Sequence, residues 1–502
     1  MFRKILIANR GEIAVRILRA CRELAIRTAV VFSEADRTSL HVRLADEAYP
    51  IGPAPSRESY LCIDKIMDVA RRAGCDAIHP GYGFLAENAA LPRACTEAGI
   101  TFIGPSAEAM EALGAKTAGR QLARRAEVPT VPGTNDPIED PQHARELARS
   151  MGYPVLLKAV AGGGGKGMRL VAADASFLAA FREASSEALN AFGDASVYLE
   201  KYLEKPRHIE IQILADTHGR VVSLGERECS VQRRHQKVIE EAPSPIMTPE
   251  LRKRMGDAAV RLARAGGYTN AGTVEFLVDA HYNFYFLEVN TRLQVEHPVT
   301  EQVTGLDLVK LQIAIAAGHR LPFAWETITP RGHAMEVRLY AEDPDNNFFP
   351  SPGKIVSQHQ PSGPGIRVDE GVYEGWTVPM DYDPLLSKLI AWGNSREETI
   401  ARLRRALEEY SITGIKTNTA LFRRILAEPD FLKAEIHTKW LDEWLQRPRV
   451  AVSGDTKAED AAAIAAAVFQ NNHNGPATGN ATVGSESAWK REGRRQQLER
   501  LP

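Results

Sequence analysis

The chain contains no apolar run approaching the roughly 20 residues that a membrane-spanning helix needs. Its five cysteines, at positions 21, 62, 75, 95 and 229, are odd in number and form no CxxC pair. That argues against a disulfide framework and for a reduced, cytoplasmic setting with mostly buried thiols. An excess of one charge is also missing, since 62 Lys and Arg face 64 Asp and Glu for a formal net charge of -2. No electrostatic case for nucleic acid or an anionic membrane remains. The opening Met1-Phe-Arg-Lys-Ile-Leu-Ile-Ala8 is too short and too strand-like for a signal peptide, and none is expected. What is present is ordinary for a globular protein, 44% hydrophobic and 25% charged in 502 residues. That length suggests about three domains.

The most informative stretch runs from Phe284 to Pro298, FYFLEVNTRLQVEHP. It opens as a strand with Phe284, Phe286, Glu288 and Asn290 on one side and Tyr285, Leu287 and Val289 on the other. A carboxylate and an amide two residues apart are oxygen ligands of the kind magnesium takes. Upstream, Thr273-Val-Glu-Phe-Leu-Val278 is a second strand whose one charge is Glu275, and Asp279-Ala-His-Tyr-Asn283 is turn-forming. The two strands should pair as a hairpin. Symmetric pairing about His281 sets Glu275 opposite Leu287, so uniting Glu275 and Glu288 requires a one-residue slip or bulge. Arg292, Gln294, Glu296 and His297 follow at once. So many polar groups in an aromatic and aliphatic strand point to a site rather than a solvated hairpin.

The rest of the chain supplies a frame. Lys4 to Ala8, Thr28 to Phe32 and Asp76 to His79 read as strands, with a helix over Glu12 to Leu24 (Ile13, Ile17, Ala20 and Leu24 in register). Strands alternating with helices imply a parallel, doubly wound sheet, closed by Thr101 to Pro105 near residue 114. His79-Pro-Gly-Tyr-Gly-Phe-Leu-Ala-Glu87 follows the third strand, where such sheets place ligands, although its glycines equally suit a plain turn. The strand Pro154 to Lys158 leads into Ala159-Val-Ala-Gly-Gly-Gly-Gly-Lys-Gly-Met168. No GK[ST] follows, so this is not a Walker A loop, and a strand from Met168 to Val171 rules out the dinucleotide fingerprint. Between two strands and flanked by lysines, the glycines favour a mobile lid over phosphates more than a bare linker.

His208-Ile-Glu-Ile-Gln-Ile-Leu214 alternates as a half-buried strand carrying His208, Glu210 and Gln212 on one face. Glu226 to Lys237 is dense in charge and suits either a solvated loop or an anionic substrate. From about residue 331 the pattern turns to short strands, including Ala334 to Tyr340, then helices over Arg396 to Glu409 and Lys416 to Glu428. This reads as a smaller α+β domain ending near residue 446. Beyond it, Asp460 to Phe469 is spaced as a short helix and Gln470 to Ser487 has a disordered composition. Trp489 among cations suits either a partner anchor or a solvated tail.

Together these residues resemble the biotin carboxylase family of ATP-grasp enzymes. The likeness covers Met1 to about residue 446 and rests on five motifs in the family's order. They are Lys4-Ile-Leu-Ile-Ala-Asn-Arg-Gly-Glu-Ile-Ala14, His79 to Glu87, the glycine lid, Glu226 to Lys237, and Glu288-Val-Asn-Thr-Arg-Leu-Gln-Val-Glu-His-Pro298. The lid carries Lys166 where many relatives have arginine. The resemblance implies an N-terminal α/β domain (1–114), an ATP-grasp domain with a mobile lid (115–330, lid about 132–203) and a C-terminal α+β domain (331–446). A tail spans 447–502.

The same resemblance assigns ATP contacts to Lys116, Lys158, Gly164, Gly165, Glu200, Lys201, Tyr202, Leu203 and His208, with His235 nearby. It assigns the metal, Mg²⁺ or Mn²⁺, to Glu275, Glu288 and Asn290. Bicarbonate and biotin fall to Lys237, Arg292, Gln294, Val295 and Arg338, with Glu296 as general base. The expected activity is ATP- and bicarbonate-dependent carboxylation of biotin through carboxyphosphate. No Met-Lys-Met of the kind that holds an acceptor lysine occurs in the sequence. Biotin is therefore expected on a separate biotin carboxyl carrier protein, served with carboxyltransferase subunits. The family is often dimeric, so a homodimer is expected. The final acceptor, acetyl-CoA as in fatty acid biosynthesis, another acyl-CoA or pyruvate, stays open. The rival readings are an ATP-grasp carboxylate–amine ligase and a non-catalytic nucleotide-binding assembly subunit. The ligase would share Lys116, Lys158 and the metal ligands without requiring Arg292, Gln294, Glu296 and Arg338 together. The assembly subunit should have lost a catalytic group.

Overall fold

Ile5, Leu6 and Ile7 have no exposed surface, as a strand covered on both faces requires. They form β1 (Lys4–Ile7), the centre of a five-stranded sheet with β2 (Arg27–Phe32), β3 (Glu47–Pro50), β4 (Ala77–His79) and β5 (Thr101–Phe102). The order is β3-β2-β1-β4-β5 and every pairing is parallel, the doubly wound arrangement that the alternation predicts. β3 has no apolar pattern to announce it, and β5 is shorter than expected because Gly104-Pro105 ends it. Helix α1 (Gly11–Glu23) turns out of β1 through Gly11, whose φ of 64° favours glycine. The computed structural model describes residues 1–134, 137–138, 140–159, 168–192, 195–322, 328, 330–448 and 464.

The second sheet carries the chemistry. Its strands include β9 (Arg207–Ala215), β10 (Val221–Arg233), β11 (Gln236–Ala242), β12 (Asn270–Val278), β13 (Phe284–Asn290) and β14 (His333–Tyr340). They run in the order β13-β12-β9-β10-β11-β14, then the strands Leu385–Gly393 and Ile366–Glu370, all antiparallel. One sheet thus crosses the expected boundary at residue 331, because β11 pairs directly with β14. Its two faces differ. Ile209, Ile211, Val274, Phe276 and Phe286 on one face pack against Met255, Ala258 and Leu262 of helix Pro249–Ala265. The opposite face is polar and equally buried.

That burial corrects two expectations. β9 is not half-buried, since Glu210 and Gln212 are as inaccessible as the isoleucines between them. Glu226 to Lys237 is not a solvated loop either; it forms most of β10 and opens β11, with Arg227 completely buried. The two corrections have one cause. Arg227 Nε donates to Glu210, Nη1 to Gln212 Oε1 at 2.7 Å and Thr300 Oγ1 at 3.0 Å, and Nη2 to Thr273 Oγ1 at 3.0 Å. A buried guanidinium is tolerable only when its donors are satisfied in this way.

A small three-stranded sheet of β6 (Val155–Ala159), β7 (Met168–Val171) and β8 (Val197–Lys201), in the order β7-β6-β8, stands where the lid is expected. Gly164, Gly165 and Lys166 between β6 and β7 lie outside the described residues, as does the side chain of Lys116. Helix Thr419–Ile425 is shorter than the expected Lys416 to Glu428. Met1–Leu445 form one compact unit and Gln446–Pro502 another; the expected helix at Asp460 to Phe469 and Trp489 lie outside the described residues, Ile464 apart. Among the described residues no helix is long and apolar enough to cross a membrane.

Candidate active site

A single row of charge crosses four strands. Glu288 on β13 faces Glu275 on β12, Glu275 faces Glu210 on β9, and Glu210 faces Arg227 on β10. Directly opposed residues share a face, so all four side chains meet on the polar side. The β12–β13 register shifts between Glu275 and Phe276, Phe276 pairing with Phe286 and Glu275 with Glu288. Leu287 is thereby the extra residue, 38% exposed. This is the bulge that the sequence requires to bring the two carboxylates together. The next row holds Asn290, Thr273 and Gln212.

Lys237 reaches this row from β11. Its Nζ donates to Glu210 Oε2 at 2.5 Å, Glu275 Oε1 at 2.8 Å and Glu296 Oε1 at 2.6 Å. Glu296 ends the loop after β13, immediately before helix His297–Thr304, and its other oxygen accepts from Arg338 Nη2 at 3.0 Å. The same Nη2 lies 2.5 Å from Glu240 Oε1. Burial works against the Lys237 charge, but Glu210, Glu275 and Glu296 more than reverse it and raise its pKa well above the ordinary value. Burial likewise works to raise the Glu296 pKa, and Lys237, Arg338 and Arg227 drive it well below the carboxylate range. Glu240 goes the other way, pushed up by burial that Arg338 only partly offsets. Glu296 is a carboxylate, and Glu240 is its more protonatable neighbour.

The loop between β13 and Glu296 is fixed from the N-terminal sheet. Glu87 accepts from the Thr291 amide at 3.1 Å and from Arg292 Nε at 3.0 Å. Arg292 Nη1 donates to Gln294 Oε1 at 3.0 Å, and Gln294 Nε2 to Glu275 Oε1 at 3.2 Å. Arg292, Val295 and Arg338 line a cleft of about 490 Å³ with Glu12, Tyr82 and Tyr340. Lys237, Arg292, Gln294, Val295, Glu296 and Arg338 are therefore brought together, as the sequence reading expects.

In the small sheet, Lys158 on β6 and Glu200 on β8 form an ion pair that Arg120 joins. Lys201 Nζ donates to Gly152 O at 2.8 Å, Tyr202 accepts from Lys439, and Leu203 is partly buried. His208 Nε2 lies 2.8 Å from Glu275 Oε2. His235 is exposed at the β10–β11 turn and does not join the buried cluster. Glu87, Arg227 and Glu240 escape the sequence reading of the site. Glu240 stands beside Glu241 in Val238-Ile-Glu-Glu-Ala242, where either charge reads as solvent-facing, and Glu87 closes a glycine turn with no local pattern that assigns it a partner.

Glu275, Glu288 and Asn290 offer two carboxylates and an amide on one face, a hard-oxygen set that suits magnesium. Two other groups come within 4.8 Å internally, His208 with Glu210 and Glu275, and Glu210 with Cys229 and Glu296. Every set includes a carboxylate already paired with Lys237, Glu275 among them. Ligand type favours the Glu288 set, which is all oxygen, whereas the others include an imidazole or a thiol.

Three family models match in succession from residue 1 to residue 443. Biotin carboxylase, N-terminal domain, covers residues 1–110; Carbamoyl-phosphate synthase L chain, ATP binding domain, covers 115–324; Biotin carboxylase C-terminal domain covers 336–443. The chain is 55% identical to a pyruvate carboxylase subunit from Methanothermobacter thermautotrophicus over 445 residues, 88% of this chain and 90% of that one. It is 54% identical to the biotin carboxylase of Halalkalibacterium halodurans over 446 residues, 89% of this chain and 98% of that one. Among solved structures, the biotin carboxylase domain of Hydrogenobacter thermophilus 2-oxoglutarate carboxylase, in complex with MgADP, ADP and bicarbonate, superposes with a TM-score of 0.82. That likeness comes at 47% identity over 89% of this chain and 100% of that one. With relatives this similar along nearly their whole length, the chain belongs to the biotin carboxylase family.

Proposed function

We propose that the cleft beside Lys237, Glu296 and Arg338 carboxylates biotin presented by a carrier, using bicarbonate and ATP through carboxyphosphate. The observation that carries this reading is buried Glu296 held between two cations, Lys237 and Arg338, the second of which lines the cleft. Such a carboxylate is a weak base at rest. When bicarbonate enters, Lys237 and Arg338 share their charge with it, and Glu296 becomes basic enough to take its proton. The deprotonated oxygen attacks the γ-phosphorus of ATP and ADP departs. Lys158 and Lys237 offset charge on the phosphoryl oxygens. Magnesium, when bound by Glu275, Glu288 and Asn290, adds Lewis-acid charge stabilisation there.

The carboxyphosphate breaks to CO₂ and phosphate, phosphate takes the N1 proton of biotin, and the N1 electron pair attacks CO₂. Arg338 steadies the biotin enolate through its planar guanidinium, and Arg292, oriented by Glu87, holds bicarbonate. We place ATP at Lys116, Lys158, Gly164, Gly165, Glu200 to Leu203 and His208, and divide the chain into functional parts at residues 114, 330 and 446. Family matches at 1–110, 115–324 and 336–443 support that division. The carrier and a carboxyltransferase are the partners proposed, and a homodimer the assembly.

ADP release tests the reading. With magnesium and ATP it should require bicarbonate and rise when free biotin is added; release stimulated by an amine and indifferent to biotin would replace it with the ligase reading. Glu288→Lys, which sets an ammonium opposite Glu275, is expected to remove magnesium-dependent ADP release at every magnesium concentration. An active variant would contradict the metal assignment.

A further inference from the structure

Three separate parts of the cleft wall converge on one side chain that does not line the cleft. Lys388, on the strand Leu385–Gly393, has no exposed surface. Its Nζ donates to the Val295 carbonyl at 3.0 Å and lies 3.2 Å from Glu12 Oε1 and 3.9 Å from Asp369 Oδ2. Glu12 Oε1 also accepts from the Tyr82 hydroxyl, and the Tyr82 ring centroid is 6.0 Å from Nζ. Glu12, Tyr82 and Val295 all line the cleft. They come from helix α1, the glycine turn after β4 and the loop after β13.

We infer that Lys388 is a positioning residue for the biotin-dependent half of the reaction, fixing Val295 directly and Tyr82 through Glu12. The inference rests on the cleft being the biotin pocket. The surrounding contacts show how firmly the ammonium is set. Lys388 stands directly across from Arg338 on one side and Asp369 on the other. Gly371, just past the strand Ile366–Glu370, packs against the start of α1 so closely that a Cβ there would meet the Glu12 amide nitrogen at 2.5 Å. Glu12 therefore cannot retreat from Lys388 without moving a strand connection. Burying an ammonium is costly, and an apolar side chain of similar length would fill the same space. What it would not do is donate to a peptide carbonyl next to the catalytic base. Glu296 itself keeps two cations of its own, so loss of Lys388 should disturb the biotin wall more than bicarbonate activation.

The test uses the full chain with Lys388→Met and the paired Glu12→Gln/Lys388→Met, which removes one carboxyl with the ammonium and so limits buried charge imbalance. In Lys388→Met the KM for ATP and bicarbonate-dependent ADP release without biotin are expected to stay near wild type. Glu12→Gln alone, which alters a cleft-lining side chain, is measured beside the paired variant so that its own effect on biotin is separated from that of Lys388. The KM for biotin should rise about tenfold or more, the scale of a displaced positioning group. A wild-type KM for biotin in a folded variant overturns the inference. Failure of both variants to fold overturns it too, since Lys388 would then be structural. Arg338→Gln serves as the control for the pocket. If biotin dependence survives there, the pocket reading fails; if it is lost there yet intact at Lys388, this inference alone fails.

Discussion

Glu296→Gln is expected to lower biotin-dependent turnover by about 10²–10⁴-fold, the range for removal of a positioned general base. ATP affinity and melting temperature should change little. The reason lies in how its neighbours are held. Lys237 keeps Glu210 and Glu275, and Arg338 keeps Glu240, so neither cation is orphaned by the substitution. The amide fills the same space, and its one oxygen accepts from one cation while the NH2 faces the other, which keeps its own carboxylate. Lys158 and Glu200, the proposed nucleotide contacts, sit on a different sheet and are untouched. Steady-state ADP release and nucleotide binding, measured side by side, check this. Loss of ATP affinity with turnover preserved would contradict the role given to Glu296.

Lys237→Met carries the larger structural penalty. Three buried carboxylates, Glu210, Glu275 and Glu296, point at one ammonium; without it Arg227 remains for Glu210 and Arg338 for Glu296, while Glu275 keeps only the His208 imidazole beside it. Removing one partner of a buried charge cluster costs about 3–5 kcal/mol. Part of that is recovered if the carboxyls protonate. The variant should therefore be destabilised most at neutral and higher pH and regain stability as the pH falls, the reverse of acid unfolding. Catalysis should be lost at every pH, because among the described residues no other cation bridges Glu275 and Glu296. Denaturant melts across pH check the first point and ADP release the second. A variant as stable as the parent at neutral pH would mean that the cluster is held by something other than Lys237.

The contrast between these two substitutions shows what a sequence can and cannot reveal about such a site. The pairing of Glu275 with Glu288 is legible in the sequence as a slip or a bulge, because a strict period of two and a turn of known length otherwise set Glu275 opposite Leu287. Leu287 supplies the bulge. Glu296, Arg292 and Arg338 were placed by resemblance, and the structure brings them together. Arg227 and Glu240 were not assigned, because a charge in an alternating strand reads as solvent-facing until its partner across the sheet is known. That partner is fixed by register between β9, β10, β11 and β14. The same long-range pairing hid the continuity of the second sheet across residue 331, since composition changes there while hydrogen bonding does not. Glu87 and Lys388 act across sequence separations of 204 and 93 residues, which no local pattern encodes.

In the proposed reaction, bicarbonate activated at Glu296 attacks the γ-phosphorus. Bicarbonate labelled with ¹⁸O tests it most directly, followed by mass spectrometry of the phosphate released in a single rapid turnover with ATP, magnesium and biotin. The carboxyphosphate route predicts that the phosphate keeps one oxygen from bicarbonate, because the new P–O bond survives when the C–O bond breaks. Phosphate that carries no label, formed together with ADP, would show that water or another nucleophile attacked ATP and would contradict the assignment of Glu296, Lys237 and Arg338.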